Sequence, residues 1–213
     1  MSARVAVVTG GARRLGREIV LAIAGAGYDV FLTYLRSEES AHETAGRVIA
    51  GGRRAHAFRA DLRERADCDA AAGAALALFG GVDLLVNNAA VFPEQTLDGV
   101  ETEGWAAVAG VNLLAPLYLT RALAGSLAER GGAVVNIGSL GGTRFYQQHA
   151  AYSLSKAALA HLTRGLARHY APRVRVNSVA PGVIALAEDV PASLPAAARI
   201  PLGRHATAEE VVA

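Results

Sequence analysis

Arg4-Val-Ala-Val-Val-Thr-Gly-Gly-Ala-Arg-Arg-Leu-Gly16 is a short apolar run that ends in a glycine turn and passes into a helical pattern from Arg14 to about Gly25. Strand, glycine-rich loop and helix in that order bring backbone N–H groups and the positive end of a helix dipole to one point, where a pyrophosphate can be held. Glycines alone would only mark a turn; the strand before them and the helix after them give the loop its meaning.

The same alternation runs outward along the chain. Strands are predicted at Asp29 to Tyr34, Arg54 to Ala60, Val82 to Asn87, Ala133 to Gly138 and Val174 to Ala180. Helices are predicted from an N-cap at Ser37 through Ala50, around Arg63 to Phe79, over roughly Thr102 to Leu127, and over Ala151 to Tyr170. Several strands are continuous apolar runs, which suits burial on both faces of a parallel sheet. The expectation is an α/β protein with one domain spanning 1–213: a Rossmann-type, doubly wound parallel sheet in three α/β/α layers. Thr207-Ala-Glu-Glu210 is a capping box that predicts a helix, and the sequence ends three residues later at Ala213, so a C-terminal helix and last strand are expected to be missing.

Of 213 residues, 52% are hydrophobic and 23 are glycine, enough for a buried sheet with tight turns. The net charge of +2 is small and the arginines are scattered, which argues against a nucleic-acid partner. No uninterrupted apolar run approaches ~18 residues, no signal segment opens the chain, and Cys68 is the lone cysteine, so a cytoplasmic protein without a membrane partner is expected. The six histidines form no metal-ligand pattern; His149, His161 and His169 read as surface or packing residues, although His149 is close enough to Tyr152 to line a pocket.

Twenty of the 21 basic residues are arginine, and the only lysine is Lys156, four residues after Tyr152. On a helix that spacing puts the two side chains on one face. When a carbonyl accepts hydride its oxygen needs a proton, and a phenol of ordinary pKa ~10 becomes a better donor when a neighbouring ammonium favours the phenolate.

These residues, read together, resemble the short-chain dehydrogenase/reductase family from Arg4 to about Gly182, with lesser similarity to Ala213. The glycine loop resembles the family's Thr-Gly-x-x-x-Gly-x-Gly, with Arg14 in place of the middle glycine. The resemblance implies that Gly10, Arg13, Arg14, Leu15 and Gly16 hold a dinucleotide. Asp61 and Leu62 resemble its adenine contact, and Asn87-Asn88-Ala89-Ala90 resembles Asn-Asn-Ala-Gly with the last glycine altered. Pro181, Gly182 and Val183 fall in the turn that faces the nicotinamide carboxamide. Ser139 resembles the serine that hydrogen-bonds the substrate oxygen, and Asn112 the asparagine that positions a proton-relay water, so the implied catalytic set is Asn112, Ser139, Tyr152 and Lys156.

At the end of the second strand Tyr34-Leu35-Arg36-Ser37 offers no acid for a ribose 2′-hydroxyl, while Arg14, Arg36 and the Ser37 hydroxyl suit a 2′-phosphate, which favours NADP(H). The substrate is expected to be a small molecule contacting Phe92, Ser139 and Tyr152. The Arg-Arg-Leu-Gly loop, the Leu-Arg-Ser segment, Phe92 and Arg199-Ile-Pro-Leu-Gly-Arg204 resemble pteridine reductases, although those commonly carry an aspartate where Ser139 stands. Reduction of 3-oxoacyl thioesters or other carbonyls, and a non-catalytic NADP(H)-binding scaffold, stay open beside that reading. The family resemblance implies a homodimer or homotetramer.

Overall fold

In the computed structural model, which describes residues 3–186 and 197–212, the alternating side chains of the first strand divide the core in two. The remainder of the predicted range 1–213 lies outside the described residues. Val5 and Val7 of β1 (Arg4–Val8) join Phe31 of β2 (Tyr28–Tyr34) on one face; Val8, Val30 and Leu32 lie on the other. Leu119, Leu123 and Leu127 of α5 (Ala115–Glu129) and Ala71 and Ala75 of α3 (Arg65–Phe79) cover the first face. Ile19 and Val20 of α1 (Arg14–Gly25) and Ala41 and Val48 of α2 (Glu38–Ala50) cover the second. Both faces are buried, as the continuous apolar strands require.

The sheet is completed by β3 (Ala55–Arg59), β4 (Leu84–Asn87), β5 (Ala133–Ile137) and β6 (Arg175–Val179), all parallel, in the order β3-β2-β1-β4-β5-β6. Because β1 pairs with both β2 and β4, successive crossovers leave it in opposite directions and open a crevice beyond the strands' C-terminal ends. The Rossmann-type arrangement expected from the sequence is the one observed.

Local differences have local causes. The predicted helix from Thr102 to Leu127 is two helices, α4 (Thr102–Ala109) and α5, joined by a π-helical turn over Gly110–Leu114. The stretch Thr102–Glu129 is long and apolar enough to cross a membrane by length and composition. Here it is a core element, with Val108, Ala115 and the three leucines buried. Ser37 stands at the N-cap of α2 without a side-chain cap bond. Thr207 and Glu210 form the return half of the predicted capping box, the Thr207 N–H donating to Glu210 Oε2 at 2.9 Å, and α7 (Glu209–Val212) follows.

Candidate active site

The turn after β1 is made of backbone. Gly10 adopts φ +63°, and a Cβ on Gly16 would stand 2.0 Å from the Gly10 carbonyl oxygen and 2.7 Å from Asn88 Nδ2. Thr9 closes this turn against the one after β4: its hydroxyl accepts from the N–H groups of Asn88 and Ala89, both at 2.9 Å. Asn88 Nδ2 donates in return to the carbonyls of Thr9 (2.9 Å) and Gly10 (3.1 Å). The structure therefore gives Asn88 a fastening role, and it adds Thr9, whose signal in the sequence was its place at the head of the glycine loop.

Arg14 explains the glycine it replaces. Its φ of 54° makes it the one positive-φ non-glycine among the described residues. A glycine there takes the left-handed conformation freely, and an arginine takes it at a cost of roughly 1–2 kcal/mol. Ala90, the second departure from the family pattern, has no positive φ, so its methyl is accommodated without backbone strain.

A cleft of about 750 Å³ collects the predicted nucleotide residues: Gly10, Arg13, Arg14, Leu15, Gly16, Arg36, Ser37, Asp61, Leu62, Asn88, Ala89 and Ala90, with Phe92 at its margin. Arg63, not foreseen as a site residue, lines it too. Arg63 Nε donates to both Asp61 oxygens at 2.9 and 3.0 Å, and its Nη2 bonds one of them. The hydrogen bonds to Arg63, aided by the nearby Arg36 charge, hold the Asp61 carboxyl below its usual range against a smaller effect of burial. The Asp61 N–H is engaged as well, donating to Asp67 Oδ2 at 2.7 Å. Asp61, read as an adenine contact, thus reaches the cleft already paired, and the four arginines lining the cleft outnumber its one carboxylate.

Asn112, Ser139, Tyr152, Lys156, Pro181, Gly182 and Val183 are not among the residues lining this cleft; Asn112 is in the π-helical turn, Ser139 follows β5, Tyr152 and Lys156 are on the helix after it, and Pro181, Gly182 and Val183 follow β6. Ser139 ends β5, accepts from the Gly141 N–H at 3.0 Å and is hydrogen-bonded to Tyr152. Gly141 lets the chain pass close, since a Cβ there would stand 3.2 Å from the Tyr152 ring and 2.9 Å from that of Tyr146. The Leu140 N–H donates to the Pro181 carbonyl at 3.1 Å, which ties the turn after β6 to Ser139's loop, and the Val183 carbonyl accepts from Ala206 at 2.9 Å.

Tyr152 and Lys156 share one face of α6 (Ala150–Tyr170), with Lys156 Nζ 5.7 Å from the centre of the tyrosine ring. Lys156 is 3% exposed and donates to the Ile137 carbonyl at 2.7 Å; burial brings its pKa down to about 8. The expected lowering of the phenol by this ammonium is not what the structure has. Burial raises the Tyr152 pKa, the Ser139 hydrogen bond opposes it, Tyr146 adds a small further rise, and Lys156 is not among the causes.

Asn112 lies in the π-helical turn, and its side chain makes three hydrogen bonds. Oδ1 accepts from the Val91 N–H at 2.9 Å, and Nδ2 donates to the Val91 carbonyl at 3.0 Å and to Ser155 Oγ at 3.1 Å. Its side-chain amide therefore fastens the loop after β4 to α6. Phe92 stacks on His149 and meets Tyr152 edge to face. Among the described residues no group of three or more His, Cys, Asp or Glu is placed to hold a metal ion.

A parallel sheet with a glycine-built crevice at its switch point and a tyrosine–lysine pair beside it defines a dinucleotide-binding oxidoreductase domain. The family model for short chain dehydrogenases matches residues 4–192, and the chain belongs to that family. An uncharacterized oxidoreductase of Mycobacterium tuberculosis is 42% identical over 85% of this chain and 69% of its own length. A 3-oxoacyl-[acyl-carrier-protein] reductase of Synechocystis is 34% identical over 99% of this chain and 87% of its own. Among solved structures, a short chain dehydrogenase from Burkholderia cenocepacia in complex with NADP superposes with a TM-score of 0.92 at 35% identity, covering 98% of this chain and 87% of that one.

Proposed function

We propose that this protein is an NADPH-dependent reductase that converts a small-molecule carbonyl to an alcohol, with Tyr152 as the proton donor. The observation that carries the reading is the grouping of Ser139, Tyr152 and the chain's only lysine at the end of β5 and the start of α6. The glycine cradle between Gly10 and Gly16, which no Cβ could enter, and the N-terminus of α1 fit a pyrophosphate. Arg14, Arg36 and Ser37 fit a 2′-phosphate, and the NADP held by the Burkholderia relative agrees with that choice. Leu62, Ala90, Pro181, Gly182 and Val183 complete the proposed cofactor set.

Bound dihydronicotinamide supplies the hydride. The Ser139 hydroxyl, close enough to the phenol to oppose the rise in its pKa, orients the substrate oxygen. Tyr152 is a phenol at neutral pH, and burial raises its pKa further, so it holds the proton the developing alkoxide needs. Lys156, with a pKa of about 8, is mostly a cation at pH 7 and stabilises the phenolate left behind. Ser139 in place of an acid favours a carbonyl over the ring nitrogen of a pterin. A homodimer or homotetramer is proposed on the exposed Trp105 of α4, Leu114 of the π-helical turn and Leu154 of α6, and size-exclusion chromatography tests it.

The test follows NADPH consumption with 3-oxoacyl thioesters, simple diketones and dihydropterins, for the wild type and Tyr152→Phe. The expected result is turnover of a carbonyl substrate that falls ~10³-fold in the variant. Turnover indifferent to the substitution removes Tyr152 as donor. NADPH binding without turnover of any substrate leaves a non-catalytic NADP(H)-binding scaffold, and a preference for NADH defeats the argument from the arginines.

A further inference from the structure

His149 occupies the N-cap of α6, yet its side chain makes no cap bond, although this position ordinarily uses a short polar side chain to hold the helix's first N–H groups. The imidazole serves the neighbouring loop instead. Its Nδ1 lies 2.8 Å from the Pro93 carbonyl oxygen; a carbonyl only accepts, so Nδ1 carries the hydrogen and the tautomer is fixed. The same ring stacks on Phe92 with centroids 3.8 Å apart and planes 18° from parallel. Phe92 in turn meets the Tyr152 ring edge to face, 4.5 Å between centroids at 84°.

The backbone carrying Phe92 is held on both sides. Before it, Asn112 grips both polar groups of Val91. After it, the Gln95 N–H donates to the Gln148 carbonyl at 2.7 Å and the Ala150 N–H to the Gln95 carbonyl at 2.8 Å. Despite all this fastening Phe92 is 53% exposed, so the arrangement does not serve to bury the phenyl ring in the core. It fixes an accessible aromatic surface beside the phenol, and precise support of that kind is what a substrate-binding side chain requires.

We propose that His149 is a positioning residue that holds Phe92 as a rigid aromatic wall against Tyr152, and that the wall selects substrates whose reacting carbonyl is conjugated to a flat ring. The proposal rests on the carbonyl-reductase reading above and adds the substrate class. An offset or edge contact between such a ring and Phe92 contributes up to about tenfold in affinity, beyond the area it covers.

The experiment compares 1-phenyl-1,2-propanedione with 2,3-butanedione in the wild type, Phe92→Leu, His149→Asn and His149→Phe. Asparagine is a favoured N-cap residue that keeps an amide for Pro93 and loses the stack; phenylalanine keeps the stack and loses the hydrogen bond. Expected are an aryl preference in the wild type and a KM about tenfold higher for the aryl substrate alone in Phe92→Leu and His149→Asn. The aryl preference stays near wild type in His149→Phe. Equal losses on both substrates, or none, overturn the wall. Should the wild type reduce neither diketone, the reductase reading fails for them, and the wall is judged by ligand-observed NMR binding of the aryl diketone. Dissociation constants weakened in Phe92→Leu and His149→Asn but not in His149→Phe uphold it; equal constants, or no binding, overturn it.

Discussion

Between β1 and α1 the chain makes its binding surface from backbone, with Gly10 and Gly16 so close that no side-chain atom fits between them, whereas at the start of α6 it makes one from side chains, the half-buried Tyr152 and the buried Lys156. The first region works by geometry and the second by desolvation. Errors should therefore have different signatures: a methyl group is ruinous in one, and a change of protonation is ruinous in the other.

The sharpest way to break this contrast is Gly16→Ala. The added Cβ meets a backbone carbonyl at 2.0 Å, which cannot swing aside as a side chain would. The expected cost is about 3 kcal/mol of stability, seen as a lower denaturant midpoint, together with loss of NADPH binding by fluorescence titration. A variant that melts and binds like the wild type would show the loop to be pliant, and the distinction between the two regions would go with it.

Lys156 sharpens the other half. Its ammonium titrates in the folded protein at about 8, below the ordinary lysine value. Between that pKa and the unfolded one the native state binds fewer protons than the unfolded chain, so the penalty of the buried charge is present below about pH 8 and is relieved as pH rises. Activity moves the other way, because the cation needed beside the phenolate is lost over the same window. The expected pattern is kcat/KM falling about tenfold per pH unit above the pKa while stability, taken as wild type minus Lys156→Met, rises. A rate profile flat to pH 10 would deny Lys156 its electrostatic role.

The difference between the two regions also decides what could be read in advance. Letter spacing carries strand and helix period, so the six strands, the glycine loop and the one-turn separation of Tyr152 and Lys156 were legible. Arg14's left-handed backbone was not, because a φ angle is chosen by the turn as a whole and not by the residue that suffers it. The direction of the Tyr152 shift is not legible for a related reason: a neighbouring lysine is visible in a sequence, whereas the depth of a phenol is set by Gly141, Tyr146 and Phe92, which approach from other elements. The fastening of Val91 by Asn112 and of Pro93 by His149 joins residues 21 and 56 positions apart, and no local pattern announces such bonds. Asp61 was found by its place after β3, but its capture by Arg63, two residues on, needed the observed turn.

Arg14 itself supplies the smallest and most discriminating test, since there the strained backbone of the turn and a proposed side-chain contact to the ligand fall on one residue. If the arginine is retained for its charge, its strained φ of 54° is a cost borne for the 2′-phosphate. Arg14→Gly releases roughly 1–2 kcal/mol of strain and gives back roughly 0.5–1 kcal/mol through the greater freedom of the unfolded chain. The expected net is a gain of roughly 0.5 kcal/mol, a rise in Tm of about 1–2 °C. Against that gain, the preference for NADPH over NADH should fall about tenfold, the scale of one charge-assisted phosphate contact. Both numbers come from the same purified variant, by thermal melt and by cofactor titration. A stabilised protein with its preference intact would mean that the strain serves no recognition, and that Arg36, Ser37 and Arg63 alone distinguish the two nucleotides.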